Sequence, residues 1–132
     1  MTTYLSVEDV TDLHDEALAD FGGTPGLRDA GALASAVAQP AMEAFGIELY
    51  PGLTDKAAAY LYFLSRNHAF VDGNKRTAYA AAYTFLAMNG WLLGGADDDV
   101  FTLVLDTAQG RLSDPREVEV RLAQLVVPMA EG

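Results

Sequence analysis

The chain has 132 residues, a length that suits one compact domain over residues 1–132 and is too short for two ordinary ones. Its 19 acidic and 8 basic residues give a formal charge of -11, which repels nucleic-acid phosphates and anionic membrane surfaces, so neither is expected as a partner, although a small phosphate ligand needs only local positive charge. The absence of cysteine, of an apolar run of transmembrane length and of a charged start before an apolar signal core leads to the expectation of a cytoplasmic protein.

About half the residues are apolar, alanine runs are frequent, and strictly alternating β-branched segments are hard to find, which points to an all-α class. Ser6 can cap a first helix from Val7 to about Asp20, whose apolar positions Val7, Val10, Leu13, Ala17, Leu18 and Phe21 recur at three and four; "GGTPGLRD" then stops it. Asp29 caps "AGALASAVAQ", and Pro40 limits that helix. "AMEAFGIELYPGL" has neither period and contains Gly46, Pro51 and Gly52, so an irregular or hairpin segment is expected there.

Thr54 is the expected cap of a third helix, "DKAAAYLYFLSRN". A fourth begins near Asn74 and runs to Gly90, a suitable left-handed C-cap. Both are apolar on more than one side and should form the centre of the bundle. "DDDVFTLVLDTAQG" and "DPREVEVRLAQLVV" supply two more helices, the second with Asp114 as cap, Pro115 at its first position and Glu117 in a capping box.

Between the two central helices lies "NHAFVDGNKRTA", which gathers His68, Asp72, Asn74, Lys75 and Arg76 into nine positions. "GNKR" opens a helix, and a glycine-containing turn at a helix N-terminus offers unpaired N–H groups and a positive dipole end to an anion. Lys75 and Arg76 add full charges and Asn74 an amide, so the simplest ligand is a phosphate chain. Asp72 is a hard oxygen ligand suited to Mg2+, and His68 can take a proton from an attacking hydroxyl. Together these groups describe transfer of a phosphorus-centred group. Phe70, between them, should sink into the core and anchor the loop. "GNKRT" is not a Walker P-loop, because no strand precedes it, the lysine follows asparagine and the upstream glycine is missing.

The residues His68, Phe70, Asp72, Gly73, Asn74 and Arg76 resemble the Fic/Doc signature, H-x-F-x-[DE]-G-N followed by a basic stretch. Within that superfamily the chain is most similar to Doc (death-on-curing) toxins, through "GNKRTA" and through "LHDEALADFGGTPGLRDAGALASAV". The resemblance implies a Fic-like bundle of about six helices and a toxin kinase that uses ATP and Mg2+ to phosphorylate a serine or threonine of a protein target, elongation factor Tu for the best-known type. It implies His68 as general base, Asp72 as Mg2+ ligand, and Gly73, Asn74, Lys75 and Arg76 as phosphate contacts. It also implies a target-docking flap before the central helices, which would fall on Phe45, Gly46, Ile47, Glu48, Leu49 and Tyr50.

Ala69 replaces a proline common in Fic motifs, and Tyr79 stands where nucleotidyl-transferring members carry a second arginine. The alternatives are a Fic nucleotidyltransferase and a silent binding module, the latter having no need of His68 and Asp72. The inhibitory pattern [ST]-x-x-x-E-[GN] is unmatched, since "SDPREV" ends in Val118, so restraint is expected from an antitoxin supplied in trans. His14 reads as a helix histidine with a backbone or carboxylate partner, and the glycines of "GGTPGLRD" as a loop needing positive φ.

Overall fold

A computed structural model describes residues 1–130. Among them are six helices, α1 (Val7–Phe21), α2 (Ala30–Ala38), α3 (Leu53–Arg66), α4 (Asn74–Met88), α5 (Asp97–Ala108) and α6 (Pro115–Leu122). Two small antiparallel sheets accompany them, β1 (Glu43–Ala44) with β2 (Ile47–Glu48), and β3 (Trp91–Leu93) with β4 (Val126–Pro128). The helical class expected from composition is the observed one.

The paired helices α3 and α4 form the centre. Ala57, Ala58, Ala81 and Ala82 are completely buried, and such small side chains let two backbones approach closely while Tyr60, Phe85 and Leu86 fill the remaining volume. The hydroxyl of Tyr60 accepts the Leu5 N–H at 2.9 Å, tying the segment before α1 to this core, and burial pushes its pKa up to about 12. α1 starts with the expected reciprocal cap: Ser6 Oγ accepts from Asp9 N–H and Asp9 Oδ2 from Ser6 N–H.

Three local expectations are corrected. α3 is capped at Gly52, whose N–H donates to Asp55 Oδ2 at 2.9 Å, because Asp55 reaches back one turn; Thr54 lies inside the helix and donates its hydroxyl to Glu119 instead. α2 ends at Ala38, and Pro40 sits in a single 3-10 turn over Gln39–Ala41. The last apolar run is not wholly helical: α6 stops at Leu122, and the β-branched pair before Pro128 extends to pair with β3 in the register Leu93↔Val126. Asp114 caps α6 as expected, but Glu117 accepts from Ser113 N–H rather than from the cap's own.

Candidate active site

Residues 67–73 connect α3 to α4, and their backbone is held from one side by the glycine-rich segment after α1. Ala69 O accepts from the N–H groups of Arg28 (2.7 Å) and Asp29 (3.0 Å), Val71 N–H donates to Gly26 O at 3.0 Å, and Leu27 bridges Phe70 in antiparallel fashion. The approach is close enough to require glycine. A Cβ on Gly26 (φ +133°) would lie 3.1 Å from Val71 Cγ2, and one on Gly23 (φ +124°) 2.9 Å from Asp72 Oδ2. "GGTPGLRD" is therefore structural, as its sequence suggests, and what it braces is the motif loop.

Asn74 spends its side chain on the same loop. Its Oδ1 accepts from Phe70 N–H at 3.1 Å and its Nδ2 donates to Phe70 O at 2.9 Å, so Asn74 offers a ligand its backbone N–H rather than its amide. Phe70 is buried, as an anchor should be, and stacks on His14 with centroids 3.7 Å apart and planes 7° apart. His14 Nε2 lies 2.8 Å from the carbonyl oxygen of Asp72.

Gly73 caps α4 in the left-handed region (φ +78°), leaving the N–H groups of Asn74, Lys75 and Arg76 at the open first turn. The exposed Arg76 guanidinium lies over the Phe21 ring, 4.2 Å from its centroid, and Lys75 is also exposed. Asp72 presents an exposed carboxylate whose pKa is lowered by the Thr24 N–H on Oδ2 (3.0 Å), then by the Gly73 N–H on Oδ1 (2.9 Å), with smaller help from Arg76 and His14. Each oxygen accepts one N–H and keeps lone-pair capacity, which fits a Mg2+ held by a single carboxylate and completed by phosphate and water.

His68 is exposed and sits at φ +48°, a left-handed conformation uncommon for a residue with a Cβ. Its imidazole hydrogen-bonds no other described residue and faces a cleft of about 1040 Å³. His68, Asp72, Gly73, Asn74, Lys75 and Arg76 all line that cleft; the opposite wall comes from the Gly94–Gly95 turn and from Val100, Phe101 and Val104 of α5. Tyr79, one turn beyond Arg76, lines it as a neutral phenol whose pKa is raised by burial. A cleft of this size accommodates a nucleotide.

The segment 45–50 is not part of this arrangement. Gly46 (φ +78°) and Phe45 (φ +54°) make the two-residue turn between β1 and β2, and none of the six residues lines the cleft. The return strand is fixed by Lys56, whose buried ammonium donates to Glu48 Oε1 at 3.0 Å and to Tyr50 O. Ten helical residues, roughly 15 Å of rise, separate Lys56 from the end of α3 at Arg66. Glu117, occupied at the start of α6, does not line the cleft either.

Sequence reasoning missed the contact of His14 with the loop, which spans 58 positions and leaves no local pattern, and the α5 wall, whose apolar residues look like ordinary core.

Comparison with known proteins agrees with this geometry. The sequence pattern of the Fic/DOC family matches residues 4–86, a span that includes α1, the brace, the hairpin, α3, the motif loop and most of α4. The chain is 55% identical over 100 residues, 76% of its length and 74% of the relative's, to a protein of Mycolicibacterium smegmatis named Toxin Doc. It is 37% identical over 87 residues, 66% of its length and 68% of the relative's, to a protein of Escherichia phage P1 named Protein kinase doc. The chain belongs to the Fic/DOC family.

Proposed function

We propose that this protein is a Doc-type toxin kinase that transfers the γ-phosphoryl group of ATP to a serine or threonine hydroxyl of a protein target, and that elongation factor Tu is that target, so that translation stops. The observation that carries the reading is the convergence, on one cleft, of an unpaired imidazole at His68, an ionised carboxylate at Asp72, and the open first turn of α4 with Lys75 and Arg76. The names of the two relatives support it.

In this mechanism the first-turn N–H groups of α4, with Lys75 and Arg76, bind the phosphates and stabilise the charge that spreads over the transferred group. The target hydroxyl oxygen bonds to the γ-phosphorus as the bond from that phosphorus to the bridging oxygen of ADP breaks, and the hydroxyl proton passes to the His68 imidazole. When bound, Mg2+ supplies further charge neutralisation at the phosphates, and Asp72 is the residue that holds it. The direction of nucleotide binding follows from Lys75 and Tyr79. Lys75 occupies space that a glycine would leave to a close-lying diphosphate, and Tyr79 offers no cation to an outer phosphate. Both favour a γ-phosphate beside His68.

Among the described residues no helix is long and apolar enough to cross a membrane, and the proposed target is a cytoplasmic one. Restraint would come from an antitoxin that covers the phosphate site, with a carboxylate near Arg76 in place of phosphate. The test is to incubate the protein with Mg2+ and ATP in a matched lysate, and with purified elongation factor Tu, and to weigh the products. A phosphoryl-sized increment with release of ADP, impaired by Lys75→Gly, is expected. A nucleotidyl-sized increment with release of pyrophosphate would overturn the kinase reading.

A further inference from the structure

Between Asp72 and the bulk of the protein stands one face of α1. His14, Leu18 and Phe21 follow each other at four and three residues, so they lie along one side of that helix, the side turned to the motif loop. His14 is 3% exposed and touches the loop at three successive levels: its ring stacks on Phe70, its Nε2 meets the Asp72 carbonyl, and its Cδ2 lies only 3.5 Å from where a Cβ on Gly73 would be. A carbonyl only accepts, so Nε2 carries the proton. Leu18 Cδ2 closes against Gly73 at the same distance. Phe21, at the end of the helix, is 65% exposed, so its ring has little to do for the core; what it contacts is the guanidinium of Arg76.

We propose that His14 and Phe21 are positioning residues for the transfer chemistry: His14 fixes the Asp72–Gly73 peptide, and with it the carboxylate that accepts the Gly73 N–H, while Phe21 fixes the guanidinium of Arg76. The inference rests on the functional reading above for what is positioned. A purely structural helix face would need only apolar bulk at position 14, where leucine would serve. Here a buried N–H is aimed at the main chain of the residue whose side chain is the proposed metal ligand, and such outer partners orient what they touch.

The experiment uses the full chain and two pairs of variants. His14→Phe keeps a ring to stack on Phe70 and removes the donor; His14→Gln places an amide N–H near the position of Nε2–H and removes the ring. Phe21→Ala removes the platform for Arg76, and Phe21→Trp restores it. Calorimetry with ATP is run in the presence of Mg2+ and in the presence of chelator, and the Gly73 amide is followed by NMR in the nucleotide-free protein. His14→Phe should weaken binding of Mg2+-ATP by roughly 10- to 100-fold. It should leave metal-free ATP binding unchanged and shift the Gly73 amide, while His14→Gln stays close to the parent. Phe21→Ala should weaken ATP with and without Mg2+ by about two- to fivefold, with Phe21→Trp restoring it.

Parent-like Mg2+-ATP affinity and an unmoved Gly73 amide in His14→Phe would overturn the role of His14. Parent-like binding by Phe21→Ala would overturn that of Phe21. If His14→Phe does not fold, His14→Gln decides: a folded variant that has lost both the amide position and Mg2+-ATP binding counts against the donor, and one that keeps both supports it. None of these readouts needs a protein substrate, so failure of the parent to phosphorylate elongation factor Tu would count against the proposed target and leave this inference standing.

Discussion

The motif loop and the β1–β2 hairpin are both turns that present unusual residues at positive φ, yet they are held in opposite ways. Around the loop, backbone groups of Ala69, Phe70, Val71 and Asp72 are each paired with a residue from α1, the glycine-rich brace or Asn74, so His68 is displayed from an over-determined base. The hairpin has two-residue strands, a fully exposed Phe45 and exposed Ile47 and Leu49, and its main tie to the core is the single ammonium of Lys56. Reacting groups need fixed geometry, which many small contacts supply; a surface segment held at one point can be lost without disturbing the cleft.

The comparison is broken most severely by His68→Ala. The side chain bonds nothing among the described residues, so circular dichroism should be unchanged while phosphoryl transfer falls by about 100- to 10,000-fold. Full transfer by a folded variant would remove His68 from the chemistry. Asn74→Ala should damage loop and fold together: it strips partners from both Phe70 backbone groups, and chemical denaturation should register a loss of roughly 1–3 kcal/mol with activity falling in parallel.

Lys56→Met is the contrasting case. It leaves Glu48 and the Tyr50 carbonyl without their donor, and a stability loss of about 1–3 kcal/mol is expected, with faster hydrogen exchange at Leu49, whose N–H donates to Met42 O. ATP affinity should not move, because the hairpin does not line the cleft; a matching loss of ATP binding would mean that the two regions are coupled. Phe45→Asn has the smallest effect and the opposite sign. It creates the Asn-Gly pair that a two-residue turn with positive φ at both positions favours, and should raise stability by up to about 1 kcal/mol. If Phe45 lies against a protein partner, the same change would weaken that contact while stabilising the free protein.

What was legible from the sequence was local. Ser6, Asp29 and Asp114 announce their helices because a cap acts within three residues, and the residues from His68 to Arg76 announce a phosphate site because the helix start and its charges are contiguous. Gly52 as the cap of α3 was hidden, since glycine brings no side chain and Thr54 offered a better-looking hydroxyl. The end of α6 was hidden because an apolar run of this length suits a helix or a strand until a pairing partner, here Leu92 and Leu93, decides. Lys56 reads in sequence as one solvated residue in an alanine run. Its burial depends on Glu48 and Tyr50 folding back over the first turn of α3, and no periodicity encodes that. Asn74 shows that a right residue can carry a different task, its side chain shaping the loop while its main chain remains open to the anion.

Gly23 gives the brace a genetic consequence. Its missing methyl would lie 2.9 Å from both Asp72 Oδ2 and Leu18 Cδ2, at a φ that side chains avoid. A single base change turns any glycine codon into an alanine codon. For a toxin of the kind proposed, survivors of unrestrained expression should therefore accumulate lesions at Gly23 as well as in the motif, and sequencing them would map the brace through residues that take no part in the reaction.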